Sequence, residues 1–318
     1  MTSATISVVI DTDPGLDDAL ALFVACASPE LDILGVTTVG GNVGIARTTA
    51  NALTVLDFAG RPDIPVFAGA AEPIERPAIE AGNIHSEDGL GGLAFPKSRR
   101  QADPRDAVSW LSSLLSANHV KSISILALGP LTNIAKLIRA DAAAASRIER
   151  VVAMGGAVRS PGNVTPAAEF NIAADPEAAD IVFRSGIPVT LAPLDVTRQV
   201  GADTEWAERL ATTGPVGEMS HQLHRAYLRN VTTYRASKGS IEPPPTAFPL
   251  HDPCVILQMI DPSLFTAEDL PLRVVCDGGE QDGATVIDPG HGSTVSVLTK
   301  ADAARALALT AARISSLR

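Results

Sequence analysis

Short apolar runs alternate with helix-length segments through the first two thirds of the chain, and this alternation constrains the fold more than any other feature. The runs "TISVVID" (5–11), "LDILGVTTV" (31–39), "IPVFAG" (64–69), "SISILAL" (122–128), "RVVAM" (150–154) and "IPVTLAP" (187–193) read as strands. Helical patterns occupy 17–28, 44–59, 105–118, a segment from Pro130, 175–185 and a long region over 203–237, with a loop-rich stretch at 70–103. Short strands at 272–277, 284–288 and 294–298 precede a final Ala-rich helix. Repeated strand–helix units predict an α/β fold, a mostly parallel central sheet with helices on both faces. No linker, repeat or composition shift divides the 318 residues, so a single domain over 1–318 is expected.

In such sheets ligands bind beyond the carboxyl ends of the strands. There the chain concentrates negative charge: Asp11, Asp13, Asp17 and Asp18 lie between two apolar runs. Helix capping accounts for Asp17 and Asp18 but not for Asp11 and Asp13 as well. A cation would neutralise all four. The donors are oxygens, with no Cys or His nearby, so Ca²⁺ or Mg²⁺ suits better than zinc. The spacing lets Asp13 from the strand end and Asp18 from the first helical turn meet on one ion.

Other chemistries fit poorly. The D-x-D of aspartyl-phosphate phosphatases expects Thr or Val where Gly15 stands. A zinc base deaminase needs P-C-x-x-C, and "DPCVIL" has Leu257 at the second cysteine. There is no phosphate loop and no nucleophile elbow. "GLGGLA" (89–94) follows no strand. The net charge of −11 argues against a phosphate-backbone partner and an anionic membrane, "KSRR" (97–100) being the only compact basic cluster in the sequence. No apolar run reaches membrane-spanning length, and nothing resembles a signal peptide. Cys26, Cys254 and Cys276, in apolar sequence surroundings, predict free thiols in a reducing cytoplasm. His119, His221, His224 and His291 are expected on surfaces.

"DTDPGLDDALAL" (11–22) resembles the amino-terminal signature of the inosine–uridine-preferring nucleoside hydrolases. "TTVGGNV" (37–43), "GNIHSEDGLGG" (82–92), "LALGPLTNIA" (126–135), "VAMGGAV" (152–158), "GNVTPAAEFNIAADPEAA" (162–179) and "PLHDPC" (249–254) are similar to that family's further blocks, in order. The resemblance implies a Ca²⁺-dependent enzyme that hydrolyses the N-glycosidic bond of ribonucleosides in purine or pyrimidine salvage. It implies that Asp13, both oxygens of Asp18, Asp252 and the Leu128 carbonyl hold the ion, and that Asp13 acts as base towards water. Asp17, Asn42, Asn163, Glu169 and Asn171 match the ribose-binding set, with Met154 packing nearby. His85 and His251 fall around the base, His251 as proton donor to the leaving group or as a support for the loop carrying Asp252. Asp11 is read as supporting the acids from beneath. Relatives are homo-oligomers, dimers or tetramers. The alternative is a non-catalytic nucleoside- or sugar-binding protein of the same fold, which would not need a base such as Asp13.

Overall fold

The computed structural model describes residues 5–317. It begins with β1 (Ile6–Thr12), α1 (Leu16–Cys26), β2 (Leu31–Thr38), α2 (Ile45–Phe58), β3 (Val66–Ala68), α3 (Gly82–His85), α4 (Ala107–Ala117), β4 (Ile123–Ala127), α5 (Thr132–Ala140) and α6 (Ala142–Ala145). It continues with β5 (Ile148–Met154), α7 (Phe170–Ala174), α8 (Pro176–Arg184), β6 (Val189–Ala192), α9 (Leu194–Thr197), β7 (Gly201–Asp203), α10 (Thr204–Ala211), α11 (Pro215–Ser237), β8 (Ala247–Pro249) and α12 (Pro253–Ile260). β9 (Phe265–Val274), β10 (Thr285–Ile287), β11 (Ser293–Ala301) and α13 (Ala303–Ser316) follow.

Nine strands make one sheet in the order β10-β9-β11-β6-β5-β4-β1-β2-β3. From β11 through to β3 every pairing is parallel, and only β9 runs antiparallel to its neighbours. The central strands hold continuous apolar runs, 8–10 in β1, 125–127 in β4 and 151–154 in β5, because helices cover both faces. Their side chains alternate between two cores: Val8, Ile10, Leu126 and Val152 enter one, and Val9, Ile125 and Val151 the other. α1 is buried from Leu16 to Ala25, so beyond the two acids of its first turn its sequence is apolar all round rather than striped.

The topology sets the position of the site. β1 leads outward to β2 and β3, and the chain then returns to β4 on the other flank of β1. The strand order therefore reverses between β1 and β4, a crevice-forming switch point. Thr12, Ala127 and Met154 end β1, β4 and β5 on its carboxyl side.

Two boundaries differ from expectation. The long helical region over 203–237 divides into α10 and α11, because Gly214–Pro215 interrupts it and Pro215 opens the second helix, where a missing N–H costs nothing. β9 begins at Phe265, before the apolar "LRVV", because its first half is an exposed stretch of mixed polarity with no strand-like alternation. His224 is also a correction. It is buried rather than on the surface, its Nε2 3.0 Å from the Ala202 carbonyl, and Cys276 is exposed. Among the described residues no helix is long and apolar enough to cross a membrane.

Candidate active site

β1 passes into α1 through only Asp13, Pro14 and Gly15, so a strand end and a helix start converge within one turn. Asp18 does cap the helix, its Oδ2 accepting from the Gly15 N–H at 2.9 Å. Oδ2 also accepts from Asn42 Nδ2 at 3.1 Å, and Oδ1 from Thr12 Oγ1 at 2.5 Å. A carboxylate oxygen has two lone pairs, so Oδ1 is the freer oxygen. Asp13 Oδ2 accepts from the Asn42 N–H at 2.7 Å, whereas its Oδ1 is buried without a partner. Asn42 thus bridges Asp13 and Asp18.

Asp13 is also gripped by two glycines. A Cβ on Gly41 would lie 2.1 Å from Asp13 Oδ2, and one on Gly129 would lie 2.3 Å from Oδ1. Sequence reasoning passed over both, although each follows a strand end in a family-like block.

Asp17, Asp18 and Asp252 each bring an oxygen within 4.8 Å of the others. Asp252 comes from the distant start of α12, and its carboxylate does not cap that helix. Asp13 is not one of these three, but its charge acts on Asp252. Burial, with Asp17, Asp18 and Asp13 nearby, pushes Asp252 well above the usual carboxylate range. Burial followed by the Asp18 charge pushes Asp13 well up, and Asp17 up to about 8. Among the described residues Asp13 and Asp18 take hydrogen bonds from Thr12, Gly15 and Asn42, none of them cationic. The chain alone therefore cannot keep these acids ionised together. An all-oxygen cluster with an orphaned carboxylate atom fits a hard divalent cation.

The neighbouring strand ends form a second wall. Asn171 Nδ2 donates to the Leu128 carbonyl at 2.7 Å and the Met154 carbonyl at 3.2 Å, and lies 3.4 Å from Met154 Sδ. The Leu128 carbonyl keeps a second lone pair. Glu169 caps α7, accepting from the N–H groups of Asn171 and Ile172, and also from that of Gly156. Burial raises its carboxyl. Asn163 is not drawn into the buried cluster. It is exposed, and its Oδ1 accepts from the Phe170 N–H at 2.9 Å.

The two histidines differ. His85 is buried over the start of α1, where its Nδ1 accepts from the Leu16 N–H at 3.0 Å, and burial pushes it down to about 4. A backbone N–H can only donate, so the neutral ring carries its proton on Nε2. His251 is half-buried, with Nδ1 2.7 Å from Thr197 Oγ1. Burial, Arg198 and His85 push it down to about 3, leaving it neutral near pH 7. Thr197 carried no sequence signal. Tyr227 stacks on Phe248 at 4.1 Å, and burial and the Asp17 charge push its hydroxyl up to about 12.

A family model for the inosine-uridine preferring nucleoside hydrolases matches residues 8–308. The chain belongs to that family. It is 42% identical over 282 residues to the pyrimidine-specific ribonucleoside hydrolase of Photobacterium profundum, covering 88% of each chain. To the non-specific ribonucleoside hydrolase of Salmonella paratyphi B it is 39% identical over 286 residues, covering 90% of this chain and 89% of that one. The fold matches the purine-preferring ribonucleoside hydrolase from Gardnerella vaginalis with a TM-score of 0.89 and 31% identity over 98% of each chain. A plant nucleoside hydrolase gives a TM-score of 0.88 at 35% identity, over 98% of this chain and 99% of that one. The chain is thus an enzyme, a ribonucleoside hydrolase, on an α/β sheet shared with its relatives.

In this nucleoside hydrolase Asp11 lies beneath the acid turn. Its Oδ1 accepts from Thr37 Oγ1 at 2.5 Å and Asn133 Nδ2 at 2.7 Å, which ties β1 to β2 and α5. Asn133 also donates to the Thr38 carbonyl and accepts from the Ala70 N–H. Burial raises Asp11 to about 6, against the lowering effect of Thr37 and Asn133. Its folded pKa thus exceeds the unfolded one. The folded state holds the extra proton, so this contribution is complete below about pH 4 and is lost as pH rises through about 6. Asp11→Asn keeps the Oδ1 acceptor and cannot ionise. Relative to the natural protein, its thermal midpoint is expected to fall less between pH 4 and 7. The corresponding difference in unfolding free energy across that window is roughly 2 kcal/mol, at about 1.4 kcal/mol per pKa unit. Parallel slopes in the two melting series would rule out an Asp11 that titrates in this range.

Proposed function

We propose that this hydrolase uses Ca²⁺ to split the N-glycosidic bond of a ribonucleoside into ribose and free nucleobase. Asp13, Asp18, Asp252 and the Leu128 carbonyl would hold the ion, with Asp17 beside them. The carrying observation is the buried acid cluster with non-cationic partners and an orphaned Asp13 Oδ1. Bound Ca²⁺ would offset the carboxylate charges and polarise water, though less strongly than zinc does.

A base is therefore needed, and Asp13 takes the water's proton as the anomeric carbon is attacked. Asp17, Asn42, Glu169 and Asn171 offer donors and acceptors to the ribose hydroxyls, whereas Asn163 is exposed with its Oδ1 engaged by the Phe170 N–H. Departure of the base leaves positive charge on the sugar. Carboxylates and amide oxygens around it stabilise that charge more than the neutral substrate, which is what lowers the barrier. His85 offers its Nε2–H to the base. His251 offers a ring N–H, and its pKa must rise as negative charge grows on the leaving group if it is to transfer a proton.

The same reading makes the chain a single-domain cytoplasmic enzyme of nucleoside salvage. Both hydrophobic layers share one sheet, which supports one domain, and the free thiols accord with a reducing compartment. Assembly as a dimer or tetramer rests on the family likeness alone. Uridine, cytidine, inosine and adenosine, incubated with the protein while reducing sugar is followed, provide the test. At least one is expected to turn over, with chelation lowering the rate more than a hundredfold, on the order of a lost metal contribution, and Ca²⁺ restoring it. Turnover indifferent to chelator contradicts the calcium reading.

A further inference from the structure

The segment from Gly82 to Gly92 carries His85 and is held from outside itself. Asn51 on α2 donates both to the Pro14 carbonyl at 3.0 Å and to the Asp88 carbonyl at 2.8 Å, joining the segment to the acid turn. Asn230 on α11 donates to the Ile84 carbonyl at 2.8 Å and lies 3.0 Å from Ser86 Oγ, so one amide grips the residues on either side of His85. Arg229 adds a bond to the Gly91 carbonyl at 3.0 Å.

The backbone between these contacts is strained. Ser86 has φ 69 and ψ 169, a region occupied almost only by glycine. A non-glycine residue persists there only when its surroundings impose the conformation, and the group bonded to the Ser86 side chain is Asn230. Without that bond the segment would relax, and the His85 ring would leave the Leu16 N–H that fixes its tautomer.

We propose that Asn230 is a positioning residue that acts through His85: it latches the strained Ser86 so that the imidazole stays seated on the start of α1 with Nε2–H free for the substrate. This rests on the reading of His85 as a substrate-facing residue. α11 also carries Tyr227, so the latch joins the His85 segment to the helix bearing the aromatic stack.

A double-mutant cycle tests the latch. kcat and KM are measured for the natural protein, Asn230→Ala, His85→Ala and the double variant, with a thermal midpoint for each. Asn230→Ala is expected to lose about tenfold in kcat/KM in the natural background and less than about twofold when His85 is already alanine, because residues acting as one unit are not additive. Equal losses in both backgrounds would show general support of the fold and overturn the proposal. A silent His85→Ala would remove the substrate-facing reading of His85 and the latch with it, an outcome distinct from the first. If Asn230→Ala does not fold alone, it is made in a Ser86→Gly background. Glycine takes these angles freely, so the latch has no strain left to hold there: Asn230→Ala is expected to cost less than about twofold in kcat/KM against Ser86→Gly, and a loss of about tenfold in that background overturns the latch.

Discussion

Asp13→Asn is expected to lower kcat about a thousandfold, the middle of the range for a positioned proton acceptor, while KM moves far less. The substitution is close to isosteric. Its amide oxygen can still accept the Asn42 N–H that Asp13 Oδ2 accepts at 2.7 Å. Removing one of several buried like charges relieves repulsion, so the thermal midpoint of the cation-free protein should not fall. Loss of activity without loss of stability separates a role in the chemistry from one in folding. A variant that keeps kcat within about threefold would show that another group takes the proton.

Gly41→Ala is expected to cost about a hundredfold in kcat/KM, the scale of an ångström-sized misplacement of a reacting group. Its methyl would lie 2.1 Å from Asp13 Oδ2, and Asp13 cannot retreat, because the Gly129 backbone closes on Oδ1 from the other side. The carboxylate must turn away from the acid cluster or the loop after β2 must move, and the Asn42 N–H bond is lost in either case. Gly290→Ala is the control, since its methyl meets nothing closer than 3.6 Å, and should stay within about twofold of the natural rate. Near-normal activity in Gly41→Ala would mean that the loop yields without moving Asp13.

The core of this fold was legible because strand period and helix period are local properties. β1, β4 and β5 alternate between the two cores as their sequences require, and the acids from Asp11 to Asp18 lie close together along the chain at the junction of β1 and α1. Asp252 is different. It is separated from Asp18 by most of the chain, and only the family likeness linked them. The glycine cradle around Asp13, the Thr197–His251 contact and the Asn133–Asp11 bond are likewise products of tertiary packing. Hydrophobic pattern carries no information about them. The burial of His224 was missed for the same reason: α11 packs over β7 and β8, and its partner is a backbone carbonyl of β7. Asn163 shows the opposite limit, a residue matched by motif whose side chain is spent on its own loop.

Calorimetric titration of Ca²⁺ into chelator-treated protein probes the cation site most directly. One ion should bind per chain, and Asp252→Asn should weaken it by at least about a hundredfold, the usual order for losing a charged ligand. A chain that takes up no Ca²⁺ yet cleaves nucleosides in excess chelator would contradict the site built from Asp13, Asp18, Asp252 and the Leu128 carbonyl.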